Sequence, residues 1–335
     1  MTPDATPATL AALDVLGRPA PGPSPREFAT PRRRAAQAGW NLLWTGVTGL
    51  ATLWIVLIVV VILGTVILGG WRTVTPTFLF ANPEQGMTAG GIFPAIFGTC
   101  ALVFLMIIAV LPVGVLAAVY LHEYARSSSP LTKLVRFAVN NLAGVPSIVF
   151  GLFGLGFFVQ FLGRGMDRAM GLDVVFGQPA ILWAALTLAL LNLPVVIVAT
   201  EEALRAVPRT AREGALALGA TRWQMVRHVV LPQALPGVLT GAILSVSRGA
   251  GEVAPILFTG AAYYLPYLPT SPTDQFMELG YHVYVLATQS PDVDLTLPLL
   301  YGTVLVLLVL TFALNFTAIF LRAKIRRGMG LGDAA

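Results

Sequence analysis

Residues 200–236 read TEEALRAVPRTAREGALALGATRWQMVRHVVLPQALP. The stretch is polar enough to stay out of a bilayer, yet it is not loop-like. Ala, Leu, Glu and Arg dominate it, and these favour helix. Thr200 can cap a first short helix, with Glu201 and Glu202 near its positive end. Pro208 breaks that helix. Thr210 can start a second, with Glu213 at its third position in a capping-box arrangement. Ala211, Ala215, Leu216 and Leu218 supply an apolar side, and Gly219 ends the helix. Pro232 and Pro236 punctuate the re-entry into the membrane.

Both flanks are membrane-like. No Asp, Glu, Lys or Arg occurs over 174–200, and only Arg248 and Glu252 interrupt an apolar run over about 235–260. Further outward, four more charge-free runs predict spans at about 41–69, 93–121, 137–162 and 297–321. Each matches the ~20 apolar residues that cross a hydrocarbon core as helix. With 180–200 and 235–260 the count is six, and the charged span is fifth. The fold class is therefore an all-α integral membrane protein with six transmembrane helices.

Composition agrees. Of 335 residues, 56% are apolar and only 11% charged, against the ~25% charged of soluble domains. The mean hydropathy is +0.78. The lone Cys100 permits no internal disulfide. His122, His228 and His282 lie too far apart for metal-ligand spacing. The net charge of +5 sits mostly in alternate loops rather than in a nucleic-acid patch. Seventeen of 21 basic residues fall in the N-terminal tail, the loops after spans 2 and 4, and the C-terminal tail; three fall in the opposite loops. This puts both termini of a multi-pass membrane protein in the cytoplasm. Seven prolines in the first 31 residues suggest a disordered tail. The expected division is a tail over 1–39, a transmembrane domain over 40–322 holding the loop 200–234, and a C-terminal tail over 323–335.

The fifth span reads PGVLTGAILSVSRGAGEVAPILFTG over residues 236–260. As a continuous helix it would put Arg248 and Glu252 on one face, able to pair. Each costs ~2.5–3.5 kcal/mol at mid-bilayer on insertion scales. An intramembrane charge pair either locks helix packing or marks a substrate pathway. A guanidinium in a pore suits an oxyanion, which it grips with paired hydrogen bonds. Glu252 could hold Arg248 in place, repel other anions or modulate charge during passage; composition does not choose. Gly237 and Gly241 form a GxxxG pair suited to helix packing.

Glu213-Gly214-Ala215, three residues, Gly219, nine residues, then Val229-Val230-Leu231-Pro232 resembles the "EAA---G---------I-LP" signature of bacterial ABC importer permeases. Gly214 and Val229 are its mild departures. More narrowly, TEEALRAVP (200–208), SRGAGEVAPILFTG (247–260) and YHVYVLATQSP (281–291) resemble the PstA-type permeases of phosphate importers. The resemblance implies a type I ABC importer fold in which the loop forms a coupling helix seated in a cytoplasmic ATPase. Glu213, Ala215, Gly219, Leu231 and Pro232 would form that coupling element. Arg209, Arg212 and Arg222 would be exposed contacts. Arg248 and Glu252 would be the transport-critical pair. Val253 stands where the family usually has Thr, and Val198 and Ala199 where it often has a basic residue.

The implied partners are an ABC ATPase dimer, a second related permease subunit, an external phosphate-binding protein, inorganic phosphate and the lipid bilayer. No nucleic acid is implied. No cofactor is expected in this chain, since it holds no G-x-x-x-x-G-K-[ST] motif; ATP and Mg would sit on the partner ATPase. The chain would thus be a transport subunit rather than an enzyme, importing phosphate by alternating access. The alternative is an ABC importer of another solute, such as molybdate, sulfate or a polar amino acid.

Overall fold

A computed structural model describes residues 31–328 except 127 and 291. The proline-rich stretch 1–30 lies outside the described residues. Among the described residues six helices are long and apolar enough to cross a membrane: span 1 (Gly39–Gly70), span 2 (Phe93–Tyr124), span 3 (Ser147–Met170), span 4 (Ile181–Ala206), span 5 (Arg222–Gly249) and span 6 (Val293–Arg327). The helix that contains span 1 begins at Pro31, inside the stretch expected as tail. The last helix runs on to Gly328, six residues into the expected C-terminal tail. The chain divides into two units at Gly64 and Thr65, within span 1.

Two spans differ from the expected bounds. The third was expected over 137–162. Instead an amphipathic helix, Pro130–Leu142, precedes a break over 143–146. Gly144 and Pro146 cause it: Pro146 has no N–H to donate and holds an extended backbone before the helix restarts at Ser147. The fifth was expected to run to 260, yet its helix stops at Gly249. Residues 250–260 follow without helix, as turns at 250–251 and 254–260. Gly249, Ala250 and Gly251 give the chain freedom to leave the helix, and Pro255 prevents an easy return.

Span 4 is the packing centre of the described residues from Thr65 on. Its Ala184, Leu188, Leu191 and Val196 join Leu102, Met106 and Val110 of span 2, with Ala250 and Ile256 from the turns, in one buried cluster. Burial of apolar area drives little between helices in lipid, so close approach does the work. A Cβ on Gly237 would run into Ala203 Cβ, and one on Gly241 would meet Ala199 Cβ at 2.8 Å. The GxxxG pair is thus the seam between spans 4 and 5. Gly151 and Gly154 of span 3 receive the turns: Cβ atoms there would meet Ala254 O at 2.9 Å and Thr259 Cγ2 at 2.7 Å.

Between spans 5 and 6 the chain holds a helix that sequence reading treated as loop, Leu279–Thr288. Glu278 caps it. Its carboxylate accepts from Gly280 N at 2.9 Å and Tyr281 N at 2.7 Å. The two-residue strands Pro83–Glu84 and Ala89–Gly90, paired antiparallel, are a minor addition to an all-α fold.

Candidate functional site

Arg248 occupies the last turn of span 5 and Glu252 lies in the turns beyond. They pair nonetheless, Arg248 Nε donating to Glu252 Oε1 at 3.0 Å. The pair is therefore made across a helix end and not along a continuous helix face. The Arg248 side chain is 40% exposed and that of Glu252 19%. A guanidinium carries five N–H donors. Among the described residues Arg248 commits one of them. Met106 closes over the backbone beneath the pair: a Cβ on Gly249 would sit 2.6 Å from its Sδ. The result is a fixed helix end that presents unspent donors to an open face.

The other candidate element lies at the opposite end of span 5. Span 4 continues unbroken through Thr200, Glu201 and Glu202 to Ala206, with Thr200 fully buried inside it. Thr200 therefore caps nothing. Pro208 ends this helix and is the N-cap of the next, Arg209–Ala217. Thr210 consequently falls inside the helix and does not cap it; the expected Thr210–Glu213 capping box does not form. A capping box is present downstream, where Thr221 N donates to Gln224 Oε1 at 2.8 Å and Gln224 N to Thr221 Oγ1 at 3.3 Å. The T-x-x-Q spacing was readable in the sequence.

Gly219 turns the chain at φ +84°. Ala220 N donates to Ala215 O at 3.1 Å and Gly219 N to Leu216 O at 3.0 Å, closing the helix end. Glu213 and Gly219 are exposed. Ala215 and Leu231 pack against a cluster of Val119, Leu204, Val207, Met225 and Val226, and Pro232 opens the helix Leu231–Gly249. Leu218, expected on the packed side, is 92% exposed, and Trp223 also stands out to solvent.

Arg209 and Arg222 are exposed, as expected, but Arg212 is not a free contact. Its Nε and Nη2 donate to Glu123 Oε1 at 3.2 and 3.0 Å. Its Nη1 and Nη2 also donate to Val207 O and Leu204 O, each at 2.6 Å. The last carbonyls of span 4 and the end of span 2 are thereby tied to the helix Arg209–Ala217. Sequence reading missed this strut, because its partners lie 89 residues apart. It also missed the pair Arg136 Nη1–Glu201 Oε2 at 2.9 Å, which ties the helix Pro130–Leu142 to span 4.

Residues 110–331 match the family model of the binding-protein-dependent transport system inner membrane component. A probable ABC transporter permease protein, YqgI of Bacillus subtilis (strain 168), is 33% identical over 265 residues, 75% of this chain and 85% of that protein. The probable phosphate transport system permease protein PstA of Methanocaldococcus jannaschii is 34% identical over 238 residues, 69% of this chain and 78% of that one. Phosphate transport system permease protein PstA 1 of Mycobacterium tuberculosis (strain H37Rv) is 38% identical over 200 residues, 58% of this chain and 60% of that one. The fold is similar to a chain in the crystal structure of a bacterial alginate ABC transporter in complex with an alginate pentasaccharide-bound periplasmic protein. There the TM-score is 0.62 at 17% identity, covering 87% of this chain and 97% of that one. A multi-pass chain whose loop and six spans follow this pattern belongs to the family of binding-protein-dependent transport system inner membrane components, the permease subunits of ABC importers.

Proposed function

We propose that this permease carries inorganic phosphate and forms half of its translocation pathway by alternating access. The observation that carries the reading is Arg248, whose unspent donors face open space at a helix end. Tetrahedral oxyanions match a guanidinium fork. Glu252 keeps the guanidinium aimed while no anion is present. One arginine on an open face cannot enclose a substrate, so a second, related permease subunit would complete the pathway. The PstA relatives support phosphate as the anion.

The helix Arg209–Ala217 would seat in a dimeric ATPase, which binds the ATP and Mg. Exposed Leu218 and Trp223 give such a partner apolar contacts, and Glu213, Ala215, Gly219, Leu231 and Pro232 shape the loop that presents them. Arg212 would pass the partner's motion to spans 2 and 4, and through their Gly237–Ala203 and Gly241–Ala199 seam to span 5. The basic residues of the loops support a cytoplasmic position for this end and for both termini. An external phosphate-binding protein would deliver substrate at the other end.

ATP-driven uptake of radiolabelled phosphate into proteoliposomes tests the reading. They would hold this chain with its neighbouring permease, ATPase and binding protein. Saturable uptake that excess sulfate and molybdate do not reduce is expected. ATPase activity stimulated by the binding protein without phosphate uptake would keep the importer and remove phosphate.

A further inference from the structure

An apolar groove of about 340 Å³ runs between spans 2, 5 and 6. Cys100 and Leu111 mark its ends on span 2, Val246 and Leu239 on span 5, and Leu314 and Leu321 on span 6. Asn315 Nδ2 donates to Ser247 Oγ at 3.0 Å and sets spans 5 and 6 side by side. From that bond Leu239 and Leu321 both lie towards the coupling loop. Leu111 follows Cys100 by 11 residues, about 16 Å of helix. That is the depth of one leaflet, half of a ~30 Å hydrocarbon core.

The groove is narrow. Spread over that length, 340 Å³ leaves a channel roughly 5 Å wide, room for one row of methylenes at the ~4 Å packing distance of carbon. A helix with its side chains needs ~10–12 Å. The lining makes no polar demand on an occupant. Thr317 is its one hydroxyl-bearing member and donates to Ala313 O at 2.7 Å.

The coupling-loop end carries uncompensated positive charge. On span 6 the groove face passes through Leu314, Thr317, Ala318 and Leu321. By helical spacing Lys324 and Arg322 come next, on the two flanks of that face. Neither joins an ion pair among the described residues. No Asp or Glu occurs between Asp294 and Asp333.

We propose that this groove holds one acyl chain of an anionic phospholipid from the leaflet on the coupling-loop side, with Arg322 and Lys324 gripping the headgroup phosphate. A phosphodiester accepts from a guanidinium and from an ammonium alike. Leaving bulk lipid for the groove gains a chain little by apolar burial, because acyl tails are as apolar as the walls. Headgroup charge and close contact with the walls hold it there. A chain so seated backs span 5 as far as Val246, two residues before Arg248. The proposal stands apart from the phosphate reading, which needs no lipid.

The assembled complex would be placed in phosphatidylcholine nanodiscs with a small fraction of photoreactive lipid. That lipid is phosphatidylglycerol or phosphatidylcholine with a diazirine near the end of one chain. Cross-links would be mapped by mass spectrometry onto the groove and onto the opposite face of span 6, where Phe312 and Phe316 are exposed. Phosphatidylglycerol should exceed phosphatidylcholine in the groove by about fivefold or more, as one basic side chain near an anionic headgroup supplies. Arg322→Gln with Lys324→Gln, beyond the groove at the helix end, should remove that excess. Ala318→Phe should clear cross-links from the groove and leave those at Phe312 and Phe316. Equal labelling of both faces by both lipids would reduce the groove to ordinary lipid contact and overturn the proposal. Groove cross-links without headgroup preference would overturn the anionic assignment. A groove free of cross-links would overturn lipid, and closure of Cys100 to a membrane-permeant maleimide would then assign the groove to the second permease subunit.

Discussion

Two arginine–glutamate pairs sit at opposite ends of the same packed spans, and they are built differently. Arg212 meets Glu123 across 89 residues of sequence, spends further donors on Leu204 O and Val207 O, and is 16% exposed. Arg248 meets Glu252 four residues away through one hydrogen bond and is 40% exposed. A side chain with four of its five donors committed fixes neighbours in place. One that keeps most of its donors can exchange an internal partner for a ligand. The first pair is a strut; the second is the one proposed above to meet the anion. Both consist of the same two residue types, so number and placement of partners separate the roles.

The contrast predicts a different failure for each. The largest effect is expected from Arg248→Gln, which should reduce ATP-driven phosphate uptake by about 100-fold or more, as loss of a bidentate charge-assisted contact implies. Co-purification of the partner subunits should be unchanged. Uptake at the normal rate would remove the pair from the pathway. Next comes Arg212→Gln. Breaking a buried pair from one side costs about 3–5 kcal/mol, so the thermal midpoint of the complex should fall and ATPase activity should cease to follow the binding protein. An unchanged midpoint would turn the strut into an ordinary surface pair.

Gly219→Asp should act on the loop alone. Its φ of +84° is a left-handed turn that costs a side-chain-bearing residue about 1 kcal/mol. Weaker retention of the ATPase on co-purification is expected, with little change in the midpoint. Full retention and coupling would show that the turn tolerates a side chain.

The smallest effect concerns pH at the end away from the coupling loop. Burial pushes the Glu278 carboxyl up to about 7, its two backbone N–H bonds only partly opposing it. Burial pushes the His282 imidazole down to about 4. Glu278 thus contributes stability below its ordinary value of 4.5, lost as pH rises through 7. His282 contributes stability above its ordinary 6.5, lost as pH falls towards 4. The slopes oppose each other over the shared range. Wild-type midpoints should be nearly flat there, whereas Glu278→Gln should expose a loss on acidification. A flat profile in the variant would show that His282 does not resist protonation.

Six spans, the helical coupling loop and the Arg248–Glu252 contact were legible because their signals are local. Charge-free runs, Gly219 and a four-residue spacing need no knowledge of the rest of the fold. The ends of the third and fifth spans were misjudged where apolar composition outvoted Gly144, Pro146, Gly249 and Pro255. Hydropathy does not sense backbone chemistry. Thr210 was overruled by Pro208, which had already taken the cap position. The Arg212–Glu123 strut, the Arg136–Glu201 pair and the buried Glu278 depend on packing between distant segments, and no single-sequence spacing encodes it.

Arg248 serves a ligand and not helix packing if the position of its charge, and not merely the presence of an ion pair, decides transport. Exchanging the pair, Arg248→Glu with Glu252→Arg, keeps an ion pair across the helix end and moves the guanidinium. Thermal midpoint and ATP-driven phosphate uptake of the assembled complex should be measured together. A midpoint close to wild type with no uptake is predicted. Restored uptake would make the pair a packing lock and take Arg248 out of the pathway.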